Sequence, residues 1–456
     1  MSSQTINDRL NSDRAAANGP ASRVRFGIVG MLFLVSTINY ADRATLSIAG
    51  DPIAKEYGLN PIAMGYVFSA FGWAYVIGQL PGGWLLDRFG SKLVYGLSLL
   101  TWSTFTLLQG FLGFFHGAVV VTGLFILRFF VGLAEAPSFP ANGRIVAAWF
   151  PTSERGTASA FFNSSQYFAL VIFSPVMGSI VHQFGWRQVF WVMGSLGVAA
   201  GVAWFRVIYS PHEHPRINRA ELAYIERGGA LVALDRHTTS TTPPPPKWAY
   251  VKELLCNRML VGIYLGQYCI TTLTYFFLTW FPVYLVKERG MSILKAGFVA
   301  SLPALCGFIG GLLGGMASDF MLRKGYSLTL ARKAPIVAGM LLSISMVACN
   351  YTSSETLVVI IMALAFFGKG FGALGWAVVS DTSPKEIAGL SGALFNTFGN
   401  VAAITTPIAI GYIVGITGSF TGALVFVGVN ALAAIFCYLV LVGEIKRVEL
   451  ARPAAA

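Results

Sequence analysis

Five ionisable side chains, Asp42, Arg43, Arg128, Glu135 and Lys369, stand inside long apolar runs of the sequence. An ion at bilayer depth costs about 2.5–3.5 kcal/mol even on the mildest scale, so such residues line a bundle interior or a water-filled path rather than lipid. The two carboxylates and three cations sum to +1 when both acids are ionised and to +3 when both are protonated. Proton uptake then makes a shared chamber more attractive to an anion, and proton release helps expel it, which is the chemistry of symport. Burial and neighbouring cations pull a carboxyl pKa in opposite directions, and the sequence leaves open which prevails at Asp42 or Glu135. Arg128 and Glu135 lie two turns apart on one helix face, so an ordering ion pair between them is a second reading.

These residues need helices that cross a membrane. Of 456 residues, 55% are hydrophobic and 11% charged, with mean hydropathy +0.65, far from the roughly 25% charge of a soluble chain. Twelve apolar segments of membrane-crossing length fall near 26–49, 62–84, 93–113, 118–142, 157–181, 188–209, 259–286, 296–318, 334–352, 356–380, 388–414 and 420–442. With the N-terminus cytoplasmic, 24 of the 32 lysines and arginines lie in tails and loops on that side and 5 on the other. The positive-inside rule therefore places both termini in the cytoplasm. The net charge of +12 is then a matter of topology, and the basic residues do not imply nucleic acid as a partner.

The rise of a helix sets depths. Asp42 is nine residues, or about 14 Å, from Asp51; Arg128 is about 15 Å past Ala118; Lys369 is about 21 Å past Glu355. Lys369 belongs to the other half of the chain. A six-carbon diacid extends about 6 Å between its end carbons, so Arg43 and Lys369 together suit a solute with two carboxylates; the competing reading is that Lys369 pairs with an acid or a helix carbonyl.

Other chemistry finds little support. Five cysteines and five histidines show no metal-ligand spacing, so no metal site and no cofactor other than the proton is expected, and no nucleophile or nucleotide motif suggests an enzyme. Residues 1 to about 22 lack the apolar core of a cleaved signal peptide. The expected organisation is a cytoplasmic tail (1–25), a six-helix bundle (26–209), a cytoplasmic linker (210–255) whose Thr238–Pro246 stretch cannot build a core, a second bundle (256–443) and a tail (444–456).

The two halves repeat. Asp87 and Asp319, Glu154 and Glu386, and Pro175 and Pro407 are each 232 residues apart, and Asn163 and Asn396 are 233 apart. Such duplicated units enclose a midplane site.

GGWLLDRFGSK at 82–92, with its weaker copy at 314–324, resembles the signature loop of the major facilitator superfamily. YADRATLSIAG, LRFFVGLAEAPSFPANGRIVAAWFP, GQYCITTLTYFFLTWFPVYL and FFGKGFGALGWAVVSDTSPKE are similar to its anion:cation symporter branch, most of all to bacterial glucarate/galactarate permeases, from Arg23 to about Glu449. The resemblance implies an all-α fold of twelve transmembrane helices in two six-helix bundles related by pseudo-two-fold symmetry. It implies proton-coupled import of a sugar acid across a bacterial inner membrane, with Asp42 and Glu135 as the proton-carrying acids and Arg43 and Arg128 tied to anion binding or its coupling. Tyr40, Tyr75, Gln166, Trp376 and Asn396 match positions that contact solute in related carriers, and Asp87, Arg88 and Asp319 match the gating loops. The expected partners are a small organic anion and the bilayer, the expected state a monomer. A carrier of a one-carboxylate sugar acid and a non-transporting sensor are the competing readings.

Overall fold

A computed structural model describes residues 21–151, 154–234, 248–384 and 387–449. The described residues build twelve helices long and apolar enough to cross a membrane: α1 (Val24–Tyr57), α2 (Pro61–Phe89), α3 (Ser91–Phe111), α4 (Val119–Trp149), α5 (Arg155–Phe184), α6 (Trp186–Val207), α7 (Arg258–Lys287), α8 (Ile293–Arg323), α9 (Leu328–Tyr351), α10 (Glu355–Thr382), α11 (Ala388–Thr417) and α12 (Thr421–Leu441). Helices α1–α6 and α7–α12 form two bundles, so this is a multi-pass membrane protein. The start of α1 and the end of α12 lie at one end, here the terminal face; the opposite end is the far face.

Local sequence sets the helix ends. Gly58 (φ 65°) takes the left-handed turn that ends α1, and Asn60 then caps α2 by accepting from the Ala63 N–H with Pro61 in the first turn. Ser292, Ser327 and Ser354 cap α8, α9 and α10 in the same way. The repeat is visible in the packing, since Pro175 and Pro407 lie inside α5 and α11, the equivalent helices of the two bundles.

Five spans depart from uniform α-helix, α9 by ending in a 3₁₀ segment, Ser345–Tyr351. Helix α4 is interrupted between Glu135 and Ser138, beside Pro137, and α10 between Phe371 and Gly375, where Gly372 lies. Helices α7 and α12 contain π turns at Phe276–Trp280 and Cys437–Leu441. The linker departs from its expectation too. Arg219–Arg227 forms a helix capped by Asn218, buries Ala220 and Ile225, and docks on the first bundle. Its wholly buried Glu221 accepts from the Val24 and Arg25 N–H groups and the Arg25 guanidinium. The whole Thr238–Pro246 stretch of the linker, and Glu386 of the repeat, lie outside the described residues.

The bundles meet through small residues. A Cβ on Gly65 would stand 2.6 Å from the Pro407 carbonyl oxygen, one on Gly72 2.8 Å from Ala403, and one on Gly178 3.1 Å from the Gly297 Cα. These crossings of α2 on α11 and α5 on α8 require glycine, as close helix contacts in lipid do. All three lie toward the far face, where Phe68 also meets Trp280 edge-on (5.2 Å) and the Trp280 indole donates to the Pro407 carbonyl (3.1 Å). Toward the terminal face the bundles part: a Cβ on Gly83 or Gly315 would meet nothing within 4 Å, and Trp376 is 57% exposed. No ion pair among the described residues joins one bundle to the other.

Candidate functional site

Arg43 organises the space between the bundles. Its guanidinium carbon stands 4.9, 4.7 and 5.0 Å from the ring centroids of Tyr40, Phe71 and Tyr75, a three-ring box suited to a delocalised cation. Its Nε donates to Glu135 Oε1 at 2.5 Å, and a second guanidinium nitrogen pairs with the same carboxylate. Glu135 ends the first segment of α4, so the interruption at Pro137 determines where this acid is presented. The Tyr275 phenol of α7 lies within electrostatic reach of Arg43, which puts the pair on the face turned to the second bundle.

Arg128 makes a different connection from the one its spacing suggests. It donates to the backbone carbonyls of Asp42 (2.9 Å) and Arg43 (2.5 Å) and not to Glu135, so it pins α1 to α4. The pair within α4 is therefore replaced by one between α1 and α4, because the carboxylate at the break reaches Arg43 instead.

Asp42 is wholly buried, and neither carboxylate oxygen has a hydrogen-bond partner among the described residues. Adjacent helical residues project about 100° apart. With Arg43 turned to the chamber, Asp42 is turned into the first bundle, toward the Trp102 indole of α3.

From the second bundle, Lys369 enters at the end of the first α10 segment, 6% exposed. Its Nζ stands 5.6 Å from the Tyr167 ring of α5 and 5.3 Å from Phe366. It makes no ion pair or hydrogen bond among the described residues, and the contact with α5 places it on the boundary between bundles. Counted along the observed helices, Arg43 is fourteen residues from Tyr57 and Lys369 fourteen from Glu355, so both cations lie about 21 Å from the far-face ends of their helices.

The remaining polar positions divide. Tyr40 and Tyr75 belong to the box around Arg43. Asn396 accepts from the Asn400 amide through its backbone and side-chain oxygens (2.9 and 3.1 Å), and Asn400 accepts from Tyr275 (3.4 Å). Gln166 precedes Tyr167 on α5, half-buried, its amide donating only to the Asn163 carbonyl (3.2 Å). Trp376 packs on Phe395 at 4.9 Å. Tyr275, Asn400 and Tyr167 were not singled out by sequence; the i, i+4 spacing of Asn396 and Asn400 was the available signal.

At the terminal face, Arg88 stacks over Trp84 and Phe89 (5.2 and 5.4 Å) and pairs with no acid among the described residues; the Asp87 side chain lies outside them. Asp319 is engaged, 3.8 Å from Arg332, which also bonds Asp381 (2.8 Å) and Ser318 (2.9 Å). These contacts lock α8, α9 and α10 within the second bundle. No cluster of metal-ligating side chains occurs among the described residues.

Comparison with known proteins agrees with this fold. Residues 32–331 match the family model described as Major Facilitator Superfamily. The chain is 70% identical to the "Probable galactarate/D-glucarate transporter GudP" of Bacillus subtilis (strain 168), covering 95% of each. It is 62% identical to the protein of the same description from Escherichia coli (strain K12), over 96% of this chain and 98% of that one. In three dimensions it is similar to a bacterial homologue of the human lysosomal transporter Spinster, solved inward-facing and unoccupied. That match has a TM-score of 0.72 at 16% identity, over 92% of this chain and 98% of that one.

Proposed function

The chain belongs to the Major Facilitator Superfamily, and from that premise we propose that it imports a sugar-acid anion, an aldarate of the glucarate or galactarate type, together with protons by alternating access. The observation that carries this reading is the Arg43–Glu135 pair, turned to the second bundle at the depth where a second cation, Lys369, lies on the boundary between bundles. Arg43 is held by Glu135, so a solute carboxylate must compete for it. A proton on Glu135 removes the competitor and frees the guanidinium for the solute, while Lys369 takes the second carboxylate. Loss of that proton re-forms the pair and drives the anion off. Binding and protonation are thereby linked through one guanidinium, with the reciprocity that linkage demands.

Lysine and arginine placement supports a cytoplasmic terminal face. The conformation described, closed at the far face, is then the inward-open one. Tyr40, Tyr75, Gln166, Trp376 and Asn396 supply hydroxyl, amide and indole groups for a polyhydroxylated solute, and Asp87, Arg88 and Asp319 stand at the helix ends that move as the terminal face closes. The names of the relatives support the aldarate over a one-carboxylate acid, and the same likeness supports a bacterial inner membrane as its location.

The test is uptake of labelled glucarate, galactarate, galactonate and glucuronate into proteoliposomes with and without an inward proton gradient. Glucarate or galactarate uptake should rise with the gradient. Glu135→Gln should abolish that dependence yet keep solute exchange across the membrane. Uptake indifferent to the gradient in the native protein would sink the coupling.

A further inference from the structure

The α10 turn that carries Lys369 is gripped from two sides. A Cβ on Gly370 would collide with the Gly307 carbonyl oxygen of α8, and one on Gly368 with the Gly339 carbonyl oxygen of α9. Gly307, Gly310, Gly311 and Gly314 fall on one face of α8 by their spacing of three and four. Gly310 and Gly314 lie so close to the Phe367 and Phe371 carbonyls of α10 that a side chain on either would strike main chain. These contacts fix the height at which Lys369 meets the chamber, just before the break at Gly372.

The same glycine face makes room for rings. A Cβ on Gly307 would stand 2.7 Å from the Phe366 ring and 3.1 Å from Tyr167 Cε1, whereas one on Gly311 would meet Tyr167 Oη and the Gly370 carbonyl at 3.9 and 3.8 Å, which is ordinary contact. Gly307 is thus the floor of a socket. Tyr167 of α5 and Phe366 of α10 meet edge-on in it (6.3 Å, 67°), and Phe277 of α7 backs Phe366 at 4.3 Å. The Lys369 ammonium stands 5.6 and 5.3 Å from the Tyr167 and Phe366 centroids. A ring face attracts a cation without neutralising it. Arg43 is occupied by Glu135, whereas Lys369 is held with its full charge available. A lysine side chain has much rotamer freedom to lose on binding, and the rings remove part of it beforehand.

We propose that Tyr167, seated on Gly307, is a positioning residue that aims Lys369 at the second carboxylate of the solute and so makes the carrier selective for diacids, a role that rests on the reading of Lys369 above. One ring comes from each bundle, so the socket is complete only where the bundles meet. Tyr167 acts through the ammonium alone.

The experiment is a double-variant cycle on the full-length protein in proteoliposomes. Tyr167→Leu should raise the KM for glucarate about tenfold, equal to about 1.4 kcal/mol and within the reach of a desolvated cation–ring contact, with kcat near native. The affinity for galactonate should change by less than about threefold. Tyr167→Phe keeps the ring and should restore the glucarate KM. Added to Lys369→Gln, Tyr167→Leu should weaken glucarate no further, because its target is gone. Additive losses in the cycle, equal loss for both solutes, or a native glucarate KM in Tyr167→Leu overturns the proposal. If Tyr167→Leu fails to fold, Gly307→Ala takes its place, with Gly311→Ala, whose Cβ has room, as the control. Selective loss of glucarate affinity in the first alone supports the socket, and equal effects of the two refute it. A selective Lys369→Gln beside an indifferent Tyr167→Leu removes only the positioning role; a Lys369→Gln that spares glucarate removes the reading of Lys369 and this role with it.

Discussion

Replacing Lys369 by glutamine separates the solutes by their number of carboxylates. The side chain is buried, touches the Tyr167 and Phe366 rings, and has no acidic partner among the described residues, so neutralising it breaks no ion pair of the protein and the loss falls on the solute. A hydrogen bond to a charged group is worth about 1.5–3 kcal/mol, and each 1.4 kcal/mol is about tenfold in affinity. The KM for glucarate or galactarate should therefore rise roughly ten- to hundredfold. Galactonate has one carboxylate for Arg43 and should change by less than about threefold. Initial rates in proteoliposomes, with melting temperature as a folding control, measure both. An equal loss for the two classes, or none for either, refutes the assignment of Lys369 to the second carboxylate.

Two further outcomes follow from the packing. Gly72→Val sets a side chain into the Ala403 backbone, where even a Cβ would stand 2.8 Å away, and should wedge the far face open; Ser47 is buried on α1, one turn from Arg43 toward that face, so uptake should fall while Ser47→Cys in the same background becomes reactive to an impermeant thiol reagent from that side. Unchanged reactivity would show that this crossing does not close the face. Glu221→Ala strands the first-turn donors of α1 and leaves the Arg25 guanidinium only its second partner, Glu154 (3.1 Å), and losing the charge-assisted bonds to Glu221 costs about 1.5–3 kcal/mol. The melting temperature should drop with KM for glucarate unaltered, and a native melting temperature would contradict the clamp.

Much of the architecture is legible in the residues because membrane helices obey simple rules. Apolar length marks the twelve spans, and the 232-residue offset survives as Pro175 and Pro407 in equivalent helices. The buried ions were identifiable because charge in lipid is costly, whichever way the side chain turns. Partner choice was not identifiable. Spacing pairs Arg128 with Glu135, whereas the break at Pro137 hands Glu135 to Arg43 and leaves Arg128 to backbone carbonyls. A helix interruption is a matter of which carbonyls find other donors, and linear spacing assumes there is none. The linker helix was hidden by its neighbours in sequence, since a short amphipathic segment beside a proline run is compositionally a tether.

The glycine crossings of α2 on α11 and α5 on α8 join the bundles through main chain, with no ion pair among the described residues spanning the seam. A bearing of that kind is indifferent to cargo. Exchanging a handful of chamber side chains can re-tune what is carried while the tilting machinery stays untouched, so selectivity and motion are free to evolve, or to be engineered, one at a time.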